Sequence, residues 1–451
     1  MGEGYRIVAA SRGLRSEEKQ AITRLSPSHE GLCWKPAGPE DDPDRYAVAF
    51  YRLPTKRLCV AYSCYAGAEH TARGGHRVYT QNVIFSADDF AAYGFSAFQI
   101  VRAMALAGLT TPQLKPAVVL PEVYLPLDAN APGKPASFPL TFSPPHRCQA
   151  LQRMLEEHEI IVPVNDGWLA SAEALLLGVP GPMRSQVSFA AGLRFSLSRR
   201  HRLYLFRDEK EASRSRITGQ TVEYLDPEAA PSDPSSAWVA FVERHWARAD
   251  GEGLDRRTSR PFSDASETAR ERIGTLYNMM DAVPKATNPA LMSIAADHLR
   301  AGPEGVEDEI RKELVAVTQQ TLLRRLACVR WREAQPLWPQ LLEIWREKDT
   351  DFAQPLIEAA LRSVVREDPL DAAEASLDLA ANPPRLMDRT RHEQLIDEVL
   401  SSAASRLPSD ANQNRLSRLY GRWKSLRPGH PALGQLAERC STAQTAGTTS
   451  R

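Results

Sequence analysis

The chain has no long hydrophobic run, no excess of either charge and no paired cysteines, and each absence removes a class of protein. Its longest apolar stretches fall far short of the roughly 18 residues that a membrane-spanning helix needs. Lys plus Arg equal Asp plus Glu at 56 each, so no global field draws the protein toward nucleic acid or anionic lipid. The six cysteines, Cys33, Cys59, Cys64, Cys148, Cys328 and Cys440, are scattered and form no CxxC pair. A disulfide framework needs denser, regular spacing, so they read as reduced thiols. The first residues, MGEGYRIVAAS, lack the cationic segment and long apolar run of a secretion signal. Arg6 stands where a myristoylation signal takes Ser or Thr. These readings place the chain in the cytoplasm, with neither membrane nor nucleic acid expected as a partner.

Signatures of catalysis are also missing. A phosphate-cradling loop needs Gly, four residues, then Gly-Lys-Ser/Thr, so that backbone amides wrap the phosphates and the hydroxyl holds magnesium. The nearest candidate, Gly133-Lys134, is followed by Pro135 and has Asp128 where the first glycine belongs. No G-x-S-x-G elbow occurs. Cys64, His70 and His76 are separated by five residues each, with Glu69 alongside, which fits no zinc template built on close or helical spacing. Cys64 with His70 or His76 is the one conceivable nucleophile–base pair, because a thiolate needs an adjacent base. The plainer reading is a buried thiol near the end of an apolar strand. No metal, no cofactor and no catalytic residue is therefore expected, and an enzyme is not the leading reading.

What the chain does contain is enough apolar material, 43% of its 451 residues, to bury more than one core. Strand-like runs, rich in β-branched and aromatic residues, cover 5–11, 45–53, 57–65, 76–86, 160–164 and 202–206. The run at 57–65 is apolar on both faces, as in a strand covered on both sides. The run at 76–86 sets Tyr79, Val83 and Phe85 on one face against His76, Thr80 and Asn82 on the other. Helical periodicity covers 90–108, introduced by a capping box at Ser86, and also 147–157 and 169–177. Residues 127–145 are a proline-rich surface connector. The order is α+β rather than a regular βαβ alternation, so a nucleotide-binding parallel sheet is not expected.

Beyond the linker at 226–236 only helical stripes remain: Val306, Ile310, Leu314 and Val317; Leu322, Leu326 and Val329; Leu337, Leu341 and Trp345; Phe352, Leu356, Ala360 and Val364; Leu395, Val399 and Ala403; Leu416, Leu419, Tyr420 and Trp423. Prolines between stripes break the helices, which must then pack antiparallel as an all-α helical bundle or short α-solenoid. The tryptophans at 331, 338, 345 and 423 read as core or groove-lining residues. The expected domains are an α+β domain at 1–226, a linker region with one possible helix at 227–263, an all-helical domain at 264–441 and a disordered tail at 442–451.

Three stretches of the first half, GYRIVAASRGL, ARGGHRVYTQNVIFSADDF and PGPMRSQVSFAAGLRFSLSRRHRLYLF, resemble the N-terminal domain of the GTPase-associated proteins of bacterial conflict systems. The recurrent points in the third are Arg184, Ser188, Phe189, Gly192 and Leu193. Tyr5-Arg6 departs from the Gly-His pair often seen there. The resemblance spans about residues 4–226. It implies a non-catalytic adaptor that acts beside a GTPase or other NTPase component. Candidate partner-binding residues are Arg73, Gly74, Gly75, His76 and Asn82, then Arg199 and Arg200. The two glycines allow close backbone approach, and the basic groups can receive an anion or a partner carboxylate. The plainer reading of both clusters is a solvated turn before a strand.

Overall fold

The computed structural model describes residues 7–27, 31–34, 45–68, 76–113, 119–126, 144–164, 167–196, 198–206, 222–225, 236–262, 266–288, 290–291, 293–294, 305–326, 369–381, 389–407 and 413–438. The chain forms two compact units, Met1–Asn278 and Met279–Arg451. The first is a mixture of strands and helices; the second is mostly helical.

The first unit is built on strands β2 (Ala47–Arg52), β3 (Leu58–Ala68), β4 (His76–Phe85), β6 (Glu159–Pro163), β7 (Phe189–Ala191), β8 (Leu203–Phe206) and β9 (Val222–Tyr224). They make one seven-stranded sheet in the order β4-β3-β2-β7-β8-β6-β9. The four strands from β4 to β7 pair antiparallel, whereas β7, β8, β6 and β9 run parallel. The α+β expectation holds, with a parallel half that the sequence did not signal. Two further short strands, β1 (Ala10–Ser11) and β5 (Val119–Leu120), form a separate parallel pair.

Both faces of the sheet are covered, which is why its central strands carry apolar residues at consecutive positions. On one face Ala49, Tyr51, Cys59, Ala61, Ile161, Ala190 and Tyr204 join Ala21 and Ile22 of helix α1 (Ser16–Leu25) in a single buried cluster. On the other, Phe50 stacks on Phe90 and Phe189, and Phe189 on Phe98. Phe90 belongs to α2 (Ala87–Ala92) and Phe98 to α3 (Ala97–Leu106). The capping box at Ser86 is present: its Oγ accepts from Asp89 N, and its own N–H donates to Asp89. The single helix expected over 90–108 is in fact these two. Gly94 and Phe95 adopt positive φ and break the run, and Ser96 caps the second helix.

Helices α4 (Pro144–Leu155), α5 (Trp168–Leu177) and the short α6 (Gly181–Arg184) complete the layer. The region expected to be mostly linker holds two helices, α7 (Ala237–Ala247) and α8 (Gly251–Thr258), both part of the first unit. Trp238 shows why: it is 1% exposed and its Nε1–H donates to Gly178 O at 2.7 Å, tying α7 to the end of α5. Helix α9 (Glu267–Ala282) crosses the division between units, and Gly274 lets it press against the backbone of Trp238, where a Cβ would stand 2.4 Å from a main-chain nitrogen.

In the second unit, α10 (Gly305–Leu326) buries Ile310, Leu314 and Leu322, as the stripe predicts. Helix α11 (Pro369–Ala381) packs against both α12 (Arg389–Arg406) and α13 (Gln413–Leu426). Val399 and Ala403, then Leu416, Leu419 and Trp423, are buried as expected. The stripes at 337–345 and 352–364, the tryptophans at 331, 338 and 345, most of the proline-rich connector and the tail lie outside the described residues.

Candidate partner-docking surface

The second family-like stretch contains strand β4 of the β3–β4 hairpin. The hairpin register runs from Leu58 opposite Phe85 to Tyr65 opposite Val78, then slips at a bulge so that Ala68 faces His76. Strand β4 is an edge strand, and all ten of its residues are half-buried. Among the described residues no strand pairs with its outer side. Such an edge carries a row of backbone donors and acceptors that can receive an added strand.

Of the candidate residues, Arg73, Gly74 and Gly75 lie outside the described set, as do Glu69 and His70. His76 is half-buried, its ring edge-on to Tyr65 at 5.6 Å. Tyr65 donates to Trp34 O at 2.8 Å, and Trp34 stacks on Trp168 at 5.7 Å. Asn82 serves the interior, accepting from Tyr51 Oη at 3.2 Å and from the Cys59 thiol at 3.7 Å.

The structure does not bring Cys64 and His76 together. Cys64 stands opposite Tyr79, four residues along β3 from Ala68, the partner of His76. At about 3.3 Å per residue that is roughly 13 Å of strand. The His76 ring meets Tyr65, whose side chain leaves β3 on the face opposite to Cys64. Burial pushes the Cys64 thiol up to about 11, away from the thiolate a nucleophile requires. Among the described residues no group of three or more His, Cys, Asp or Glu could hold a metal ion.

The basic turn before β8 divides into different roles. Arg200 is half-exposed and pairs with Glu159 at 2.8 Å. Arg199 donates to Ser26 O at 3.5 Å and lends its own carbonyl to the Tyr204 hydroxyl. Between them and β8 sits His201, 1% exposed, with no hydrogen-bond partner on either ring nitrogen and its pKa lowered to about 3 by burial and then by Arg199.

Arg184 is the most heavily bonded side chain described in the unit. Its guanidinium, 2% exposed, donates to the carbonyls of Val179 at 2.9 Å, Leu177 at 3.1 Å and Gly94 at 3.2 Å, and to the Thr258 hydroxyl at 2.6 Å. Asp255 and Ser259, both at 3.3 Å, complete the set. One side chain thereby ties the α2–α3 break, the end of α5 and helix α8 together. The other recurrent positions are structural as well. Ser188 receives Arg202 N at 3.0 Å; Leu193 bridges to Leu32; Gly192, at φ 80°, lies where a Cβ would come within 2.6 Å of Trp168 Nε1. Beside Arg184 a cavity of about 10 Å³, lined by Phe50, Phe98, Glu173 and Phe189 among others, has room for about one water.

Sequence reasoning missed one surface. Val8, Val119, Val123 and Tyr124 are 62%, 50%, 49% and 94% exposed, an unusual apolar concentration flanking the β1–β5 pair. The strip is anchored by Tyr93, whose hydroxyl donates to Leu125 O at 3.0 Å. Large exposed side chains carry no periodic signal, so only the fold identifies them.

The described residues thus give a mixed sheet covered on both faces, with no strand paired to the outer side of β4, and an exposed apolar strip beside the β1–β5 pair. Residues 1–126, which contain both features, match the family described as GTPase-associated protein 1, N-terminal domain type 2. The resemblance drawn from the first two segments is thus borne out, while the third lies beyond the matched residues. No curated protein matches the chain, and no solved structure does. No described helix is long and apolar enough to cross a membrane.

Proposed function

We propose that the protein is a non-catalytic, cytoplasmic adaptor of a bacterial conflict system, whose first unit docks a GTPase or related NTPase and whose helical unit presents a second binding surface. The observation that carries this reading is the family match over residues 1–126, which coincides with the β4 edge and the Tyr124 strip. On this reading His76 opens the docking edge, with Arg73, Gly74 and Gly75 immediately before it in the sequence, while Arg199 and Arg200, which precede β8 four strands across the sheet from β4, would meet a partner away from that edge. Asn82 acts by holding β4 in place through Tyr51 and Cys59.

The purified protein hydrolyses no nucleotide alone and co-purifies with a GTPase encoded beside it; absence of binding to that GTPase removes the proposal. Iodoacetamide at neutral pH separates the adaptor from a Cys64 enzyme. With its pKa at about 11, about one Cys64 thiol in 10⁴ is ionised at pH 7, so alkylation is slow; rapid modification of Cys64 would favour the enzyme.

A further inference from the structure

In a chain whose charges balance overall, the 27 residues from Ala411 to Ala437 are an exception, because no acid occurs at any position between Asp410 and Glu438. Helix α13 lies inside this stretch and carries Arg415, Arg418, Arg422 and Lys424. Cations of this stretch fasten the unit together. Arg415 is bound to Asp371 and Glu374 of α11, and Arg427 to Glu393 and Asp397 of α12. Leu416, Leu419 and Trp423 face inward. Arg418, Arg422 and Lys424 stand on the exposed side of a helix that has no acid of its own. Like charges at i,i+4, as in Arg418 and Arg422, cost helix stability.

The crest between these cations is small. Asn414, Ser417, Gly421 and Ser425 are all exposed. Gly421 is a poor choice for a helix interior, and nothing lies within 4 Å of where its Cβ would be, so internal packing does not require it. A bare crest flanked by cations suits close approach by a surface of opposite charge.

We infer that the exposed face of α13 binds an acidic segment of a partner protein, seated over Gly421 and held by Arg418, Arg422 and Lys424. Charge complementarity selects the occupant. Protein is favoured over nucleic acid because three cations on one short helix, in a chain of zero net charge, fall short of a nucleic-acid footprint. The inference concerns the helical unit and does not depend on where the GTPase docks.

The test measures binding of a fluorescent 15-residue polyglutamate and a 15-nucleotide single strand to the full chain, by anisotropy at low and moderate salt. Polyglutamate binds the wild type, weakens as salt rises, and loses at least tenfold in affinity in the Arg418→Glu/Arg422→Glu variant. Gly421→Ala raises the melting temperature by a few degrees, and Gly421→Leu weakens polyglutamate binding while the chain stays folded by circular dichroism. Equal polyglutamate binding by wild type and the charge-reversed variant overturns the inference. So does a nucleotide strand that binds more tightly than polyglutamate and is lost in the same variant. Loss of GTPase binding with polyglutamate binding intact would count against the docking proposal alone.

Discussion

The two edges of the large sheet are built in opposite ways. At one end β9 is three residues long, and its Glu223 is engaged by Arg153 at 3.1 Å and by His158 at 3.6 Å. Short, charged edges are how a sheet blunts unwanted pairing. At the other end β4 runs ten residues, half-buried throughout, with no Asp, Glu or Lys and a single Arg, Arg77. Among the described residues no strand pairs with the outer side of this edge, and an edge that long carries a risk of aggregation unless a partner covers it. The difference also follows the chain: β4 lies inside residues 1–126, β9 outside them. On the docking proposal, the first half of the sheet offers the surface, and the second half, with the helices behind it, holds that surface in shape.

The strongest way to break this division is to separate the halves. Within residues 1–126, β2 has lost its neighbour β7, and Phe50 its stacking partner Phe189. A chain ending at residue 126 is expected to be unfolded by circular dichroism and amide exchange, whereas one ending at residue 278 folds cooperatively. A folded 1–126 fragment would mean that the second half is dispensable as support.

Next in size is Arg184, which links the two halves through Gly94. Arg184→Ala strands the Val179 and Leu177 carbonyls in the interior, while Gly94 O keeps the Ser259 hydroxyl and the Thr258 hydroxyl keeps Leu254 O. A loss of about 3–5 kcal/mol is expected in urea unfolding of the first unit, the scale for breaking a buried charged network. Arg184→Lys recovers little, since one ammonium cannot reach acceptors arranged around a planar fork. A change under about 1 kcal/mol would show that the hub is redundant.

His201 gives a pH-dependent sharpening of the same comparison. Folded, it stays neutral to about pH 3; unfolded, it takes up a proton near pH 6.5. Its contribution is fully present above pH 6.5 and is lost as pH falls, at about 1.4 kcal/mol per unit, until the folded group itself titrates. Glu18 acts in a lower window. Burial opposes its ionisation, but hydrogen bonds from Arg57, Thr55 and Arg15 outweigh it and hold the carboxyl at about 2, so its contribution is lost only below pH 4.5. Between pH 6.5 and 5 the wild type should therefore lose stability relative to His201→Phe, which also removes two unpartnered ring nitrogens. Parallel stability curves for the two chains would show that His201 is hydrated or paired.

How much of this was legible beforehand depended on element length. Strand β4 announced itself through ten residues of alternation, and Tyr79, Val83 and Phe85 do share a face. Strand β7, with three residues, Phe-Ala-Ala, had no room for a period, so the parallel half of the sheet stayed hidden. The break at Gly94 was masked because Phe90 to Leu106 is apolar enough to read as one helix, and the Arg184 bonds that fix the break come from 90 residues away. The candidate site was half legible. The alternation placed His76 and Asn82 on one strand face, but only cross-strand register could show that Asn82 is engaged inward and that Cys64 faces away from His76.

The smallest expected effect belongs to Arg200, and it separates surface from support most cleanly. Its pair with Glu159 is geometrically good at 2.8 Å, yet the two side chains are 50% and 30% exposed. Water and salt screen such a pair, so Arg200→Ala should cost about 0.5 kcal/mol or less in urea unfolding. Arg184 and Arg200 thus stand sixteen residues apart in the same family-like stretch, one fastening the interior and one facing solvent. Charge at Arg200 can then serve an encounter with a partner, so the substitution should slow GTPase association, measured by stopped flow at low salt, more than it alters stability. A stability loss above about 2 kcal/mol would place Arg200 with the supporting residues; an unchanged association rate would remove it from the candidate partner-binding residues.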